Sequence, residues 1–261
     1  MDSARLCVRR DRHIAYVTLD RPGVRNAFDA NTIAEIAAAF EDLGSDADIR
    51  AIVLAGTGPA FCGGADIAWM RASLDLSAEA NRDDARGMSR MFRVIDRSPK
   101  LVVARVHGAA LGGGAGLVAV CDIAIASAET TFGFTETKLG ILPAVISPFV
   151  LAKIGASHAR ALALTGERFD AARALAIGLV HEVVGSPDAL DLSVARILRE
   201  LASASPTAVA NTKALFARVR ESDYDATLDL TAQAIAAQRT SAEGQDGLRA
   251  FLEKRSPAWA R

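Results

Sequence analysis

Two glycine-rich turns, Phe61-Cys62-Gly63-Gly64-Ala65-Asp66-Ile67 and Gly108-Ala109-Ala110-Leu111-Gly112-Gly113-Gly114, constrain this chain more than any other feature. Each follows a run that reads as a buried strand, and each opens into a helical pattern. Residues without bulky side chains let the backbone come close to a ligand, and a helix start leaves its first N–H groups unpaired. Either turn alone reads more readily as a tight connection than as a site. Aimed at one point, the two make a pair of amide donors for an oxygen that gains negative charge, an oxyanion hole. The chain therefore looks like an enzyme that polarises a carbonyl.

The surrounding pattern supports an alternating α/β framework. Arg5 to Asp20 alternates apolar and polar around Asp11-Arg12, as a β-hairpin does. Asn31 to Leu43 places Ile33, Ile36, Ala37 and Phe40 at helical spacing behind Asp29, a candidate cap. Ala51–Leu54, Leu101–Ala104 and Ile123–Ala126 are short apolar runs, which predicts buried strands of a mostly parallel sheet. Trp69 to Arg97 is rich in charge and reads as a surface helix or lid with a mobile loop. Beyond about residue 146 the chain reads mostly as helix, over 147–154, 157–164, 170–176, 189–202, 207–219, 226–239 and 242–254. An α/β core over 1–195 with a helical appendage over 196–261 is the expected organisation. The alanine-rich tail suggests that its apolar face meets another subunit.

Composition excludes several classes. At 261 residues with net charge −1, nothing in the overall balance suggests nucleic acid or a membrane surface. The start, Met1-Asp2-Ser3-Ala4-Arg5, lacks the apolar stretch of a signal peptide, and no run resembles a membrane span. Cys7, Cys62 and Cys121 are odd in number and far apart, a poor disulfide framework or zinc site, so no metal is expected. A cytoplasmic setting is the default.

Taken in order, the motifs resemble the enoyl-CoA hydratase/isomerase (crotonase) superfamily. They are Arg21-Pro22…Asn26-Ala27-Phe28, the two glycine turns, Cys121-Asp122-Ile123, Phe132-Gly133-Phe134-Thr135-Glu136 and Leu139-Gly140-Ile141-Leu142-Pro143. Leu164-Thr165-Gly166-Glu167…Ala174…Gly178-Leu179-Val180 and Phe251 to Arg255 complete a match that spans nearly the whole chain. The resemblance implies a ββα-spiral core, a C-terminal helical region, trimers or dimers of trimers, and acyl-coenzyme A thioesters as substrates. No separate cofactor is implied, since coenzyme A belongs to the substrate. The implied oxyanion amides are those of Ala65 and Gly113. The implied coenzyme A contacts are Val24, Arg25, Ala27, Asp66 and Ile67, with Phe251 and Lys254 reaching the nucleotide end, commonly from a neighbouring subunit. Arg25 and Lys254 make physical sense against phosphates.

One departure stands out. Hydratases of this family usually carry two glutamates; here the first position is Gly116 and the second is retained as Glu136. One carboxylate suffices to move a proton between carbons, the enoyl isomerase task. It also permits hydration, with water short of one anchor. Gly116 is expected to free volume and remove a charge beside the acyl chain, favouring a bulky or acidic acyl group. With the segment from Leu139 to Val150, it gives a look closest to bacterial methylglutaconyl-CoA hydratases, a leucine-degradation activity. Trp69, Met70, Leu142 and Pro143 are candidates for the acyl pocket. Hydratase, double-bond isomerase and a non-catalytic acyl-CoA-binding homologue all stay open.

Other residues have plainer readings. Asp66 reads as a helix cap, His107 as a hydrogen-bonded structural histidine, Cys62 and Cys121 as small buried hydrophobes, and Asp122 as an acceptor for backbone donors. Arg82 and Arg86 read as solvated; Arg71 divides evenly between solvent and a distal substrate carboxylate.

Overall fold

The computed structural model describes residues 5–260; the polar start at residues 1–4 lies outside the described residues. Strand β1 (Leu6–Asp11) pairs antiparallel with β2 (Ile14–Leu19), Leu6 opposite Leu19, as the alternation predicts. Helix α1 (Ala30–Ser45) follows, capped by Asp29, whose side chain accepts from the Thr32 amide at 2.8 Å. Next come β3 (Ala51–Gly56), α2 (Ile67–Ser73), α3 (Ala78–Asp96) and β4 (Leu101–Val106). Short β5 (Ala109–Leu111) leads into α4 (Gly113–Val120), then β6 (Ile123–Ser127) and β7 (Thr131–Gly133). The remainder is α5 (Ser147–Thr165), β8 (Arg168–Asp170), α6 (Ala171–Ala176), β9 (Glu182–Val184) and four helices: α7 (Pro187–Ala202), α8 (Pro206–Glu221), α9 (Tyr224–Thr240) and α10 (Ala242–Leu252).

Six strands form one sheet in the order β1-β2-β3-β4-β6-β9, parallel from β2 onward. A second sheet of three runs β5-β7-β8. The apolar run of β3 is buried on both faces because alternate side chains serve two cores. Ile52 and Leu54 join Phe40, Phe92 and Val102 beneath α1 and α3, whereas Val53 joins Val103 and Ile125 beneath α7. The helices expected over 147–154 and 157–164 are one element, α5, broken at Gly155 (φ 73°, ψ 160°).

The expected boundary after residue 195 falls within α7. Leu190, Val194 and Ile197 of α7 all pack in the sheet cluster with Val53 and Val103, so α7 belongs to the core. The appendage begins with α8. It is tied back by Lys213, whose Nζ donates to Asp122 Oδ2 (2.6 Å) and to the Lys100 carbonyl (2.8 Å). Asp122 also accepts from the Val102 amide at 2.7 Å, the backbone-satisfying role predicted for it. Among the described residues no helix is long and apolar enough to cross a membrane.

Candidate active site

The two glycine turns are joined by main-chain pairing. Phe61 N donates to the His107 carbonyl, Cys62 N to the Ala109 carbonyl and Leu111 N to the Cys62 carbonyl, at 2.9, 3.0 and 3.1 Å. Such close approach excludes side chains at several points. A Cβ on Gly114 would meet the Cys62 carbonyl oxygen at 2.3 Å, and one on Gly113 would meet Phe28 Cε2 at 2.4 Å. Gly64 and Gly112 sit at φ +98° and +52°, conformations that L-residues with side chains seldom adopt. The first turn is also pinned from its other side. Gly63 N donates to the Arg25 carbonyl, Phe28 N to the Gly64 carbonyl and Asp66 N to the Phe28 carbonyl, each at 2.8 Å.

Among the described residues, this pairing leaves the Ala65 amide without a protein acceptor. Gly113 is the first residue of α4, so its amide has no intrahelical partner either. The two are neighbours, since a Cβ on Gly64 would lie 3.8 Å from Gly113 N. Both residues line one cavity of about 590 Å³.

Glu136 lines the same cavity. It opens a short 3₁₀ turn (Glu136–Leu139) just after β7, and its carboxyl lies over Gly112, where a Cβ would come within 3.2 Å of Oε1. Gly112 is what leaves it room. Its Oε2 is buried with no hydrogen-bond partner. Burial pushes the Glu136 carboxyl above its ordinary range, against a lowering hydrogen bond from its own backbone. An acid whose pKa is raised by burial and whose Oε2 lacks a protein partner is chemically available for proton transfer.

Trp69, Met70, Leu142 and Pro143 line the cavity as predicted, with Phe28, Met88, Val145 and Ile146. Gly116 does not. It is buried inside α4, and a Cβ there would meet Ile146 Cγ2 at 2.4 Å and Phe92 Cζ at 3.1 Å. The volume expected to be free beside the acyl chain is already filled by Ile146. The expectation of an acidic acyl group also finds no partner. Glu136 and Asp84 are the ionisable groups lining the cavity, and no Lys or Arg joins them. Arg71 is exposed and outside it, Arg82 is exposed, and Arg86 pairs with Asp83 at 2.8 Å.

None of the implied coenzyme A contacts is among the residues that line the cavity. Arg25, exposed at φ +54°, packs beside Gly63, whose Cβ would lie 3.4 Å from Arg25 Cβ. Val24 and Ile67 are exposed, and Ala27 is buried. Asp66 is occupied internally: Oδ1 caps α2 through the Ala68 amide, and Oδ2 accepts from Arg21 Nη2, both at 2.8 Å. That carboxylate braces the turn and is not free for a ligand. Phe251 and Lys254, at and just past the end of α10, are exposed and outside the cavity lining, so a single chain does not bring them to it. His107 Nε2 meets the Gly58 carbonyl at 2.9 Å, and burial pushes the thiols of Cys62 and Cys121 up to about 12, consistent with their structural readings.

Sequence reasoning assigned no role to Arg21, Asp84 or Ile146. Arg21 links Asp66 to Asp29 (3.2 Å) and to the Ala27 carbonyl, a long-range bracket invisible to local pattern. Asp84 carried a usable signal. Asn81, Asp84, Ala85 and Met88 recur at i, i+3, i+4 and i+7, one face of α3, and all four line the cavity. Asp84 Oδ2 accepts from Trp69 Nε1 at 3.2 Å, and Asn81 Nδ2 donates to carbonyls of Ser73, Leu76 and Ser77, tying α2 to α3.

The chain is similar to known proteins over nearly its whole length. Residues 9–261 match the family model described as enoyl-CoA hydratase/isomerase. A putative enoyl-CoA hydratase of Thermus thermophilus is 35% identical, over 94% of this chain and 96% of its own. The peroxisomal Delta(3,5)-Delta(2,4)-dienoyl-CoA isomerase of Arabidopsis thaliana is 31% identical, over 96% of this chain and 94% of its own. Among solved structures, Pseudomonas aeruginosa AtuE superposes with a TM-score of 0.96 at 41% identity, covering 99% of this chain and 100% of that one. On this breadth of similarity, the chain belongs to the enoyl-CoA hydratase/isomerase family.

Proposed function

We propose that this chain adds water across the double bond next to the thioester of an enoyl-CoA. In this reading the amides of Ala65 and Gly113 hold the thioester oxygen, making the β-carbon electrophilic and stabilising the enolate that forms. Glu136 takes a proton from water as its oxygen bonds to the β-carbon, then returns a proton to the α-carbon. The observation that carries the proposal is the buried, unpartnered Glu136 Oε2 in the cavity that also holds the two free amides. No cofactor is needed beyond the coenzyme A that the substrate brings.

The apolar lining supports a branched, uncharged acyl group such as 3-methylcrotonyl over a carboxylated one such as 3-methylglutaconyl. A second carboxylate inside the cavity would face Glu136 and Asp84 with no cation among the lining residues. Double-bond isomerisation is the second reading, favoured by the absence of a second glutamate and by the isomerase among the relatives. Assembly into trimers or dimers of trimers belongs to the same proposal. It is supported by exposed Phe216, Tyr224, Leu228 and Phe251 on α8 to α10, and it would let a neighbour supply Phe251 and Lys254 to coenzyme A. Three unpaired cysteines fit a reducing, cytoplasmic setting.

Turnover of crotonyl-, 3-methylcrotonyl-, 3-methylglutaconyl- and 3-enoyl-CoA tests the assignment. Hydration of the first two supports it. Conversion of the 3-enoyl substrate alone removes the hydratase reading, and preference for the glutaconyl ester removes the uncharged acyl group.

A further inference from the structure

A second, mostly apolar cavity, of about 210 Å³, is also lined by Ile146. Phe134, Val150, Ala159, Ala163 and Leu164 line it, and it shares Pro143 and Ile146 with the cavity that holds Glu136. Ile146 is the residue before α5, only 2% exposed, and its Cγ2 is pressed against Gly116. Its β-branched side chain is stiff, and it occupies the space that a side chain at 116 would need. Two apolar spaces are thus kept apart by a wall containing one buried aliphatic side chain.

We propose that Ile146 is a specificity-determining residue that ends the acyl cavity and keeps the acyl chain out of the neighbouring apolar space. The proposal rests on the reading of the larger cavity as the acyl-CoA site. It follows that the glycine at 116 serves to seat this wall rather than to enlarge the pocket. Shortening the side chain at 146 joins the two spaces and admits several further methylenes of a long acyl chain.

The test compares wild type, Ile146→Ala, Ile146→Val and Ile146→Ala/Leu164→Trp. Calorimetry gives the affinities for butyryl-CoA and decanoyl-CoA, and assays give kcat/KM for crotonyl-CoA and decenoyl-CoA. Each methylene that enters an apolar site contributes about fourfold in affinity. The preference for the ten-carbon over the four-carbon ligand is therefore expected to rise on the order of tenfold or more in Ile146→Ala. Ile146→Val should shift it in the same direction by less, which covers the case in which the alanine variant fails to fold. Leu164 lines only the second cavity, so Leu164→Trp should reverse the gain by filling the added space. A preference within about twofold of wild type in the folded variants overturns the proposal. So does a gain that Leu164→Trp leaves untouched. If wild type binds acyl-CoA but converts no enoyl-CoA, the hydratase reading fails while the affinity ratio still decides the wall. If it binds no acyl-CoA, both fail.

Discussion

The two walls of the larger cavity are built from different materials. One is backbone: the paired glycine turns, where Gly113 and Gly114 leave no room for a Cβ and Gly64 would meet the Leu111 carbonyl at 2.8 Å. The other is side chain: Trp69, Met70 and Met88 on α2 and α3, facing exposed Leu139, Ile141 and Leu142. A main-chain wall holds its amides within tenths of an ångström and tolerates almost no substitution. A side-chain wall accepts different shapes, braced by the hydrogen bond from Trp69 to Asp84 and those that Asn81 donates. Placing Glu136 against the rigid wall, over Gly112, separates the proposed chemistry from the choice of acyl group.

Replacing the one carboxylate on the rigid wall should produce the largest effect. Glu136→Gln is expected to lower kcat by about 10²–10⁴-fold while acyl-CoA affinity stays within a few-fold. The pH profile carries an independent sign. Because burial raises its pKa, Glu136 holds its proton longer folded than unfolded. Its contribution to stability is thus present below the ordinary glutamate range and lost as pH rises through the raised value. Activity that needs the ionised form should climb over that same interval, and Glu136→Gln should abolish both trends. An unchanged rate or profile would show that the acid at 136 is a bystander.

Gly116→Ala should give an intermediate effect, read as a fall in melting temperature. Overpacking costs about 1–3 kcal/mol, against a helix-propensity gain of up to about 1 kcal/mol from replacing glycine. In an Ile146→Ala background the 2.4 Å contact with Cγ2 is lost, while Cβ of residue 146 at 3.0 Å and Phe92 Cζ at 3.1 Å remain, so the same substitution should cost clearly less. A destabilisation undiminished there would mean that Ile146 Cγ2 is not what closes the site. The smallest effect is expected on the adaptable wall. Trp69→Phe removes the bond to Asp84 and should cost about 1 kcal/mol or less, with acyl-chain preference changing more than kcat on any one substrate. A collapse of kcat would place α2 and α3 in the proposed chemistry after all.

Much of this was legible in the chain itself. The hairpin, the cap at Asp29, the buried strands and the tail helices follow from periodicity and capping over a few residues. Ala65, Gly113 and Glu136 were nominated by motif, and they line one cavity. Gly116 was misjudged for a definite reason. A missing side chain reads as space, yet whether it is space depends on what packs opposite, and Ile146 lies thirty positions away. Asp66 shows the same limit. Its capping role is local, while its bond to Arg21 spans 45 residues.

Order and type of residue along the chain therefore determined the family, the helices and strands, and which main-chain amides and which acid were available. Tertiary packing alone decided that residue 116 is sealed, that Ile146 parts two apolar spaces, and that Asp84 rather than a cation faces the interior. The physical reason is that backbone preferences and caps act over a turn or a strand. Burial, desolvation and steric exclusion are set by atoms distant in the chain.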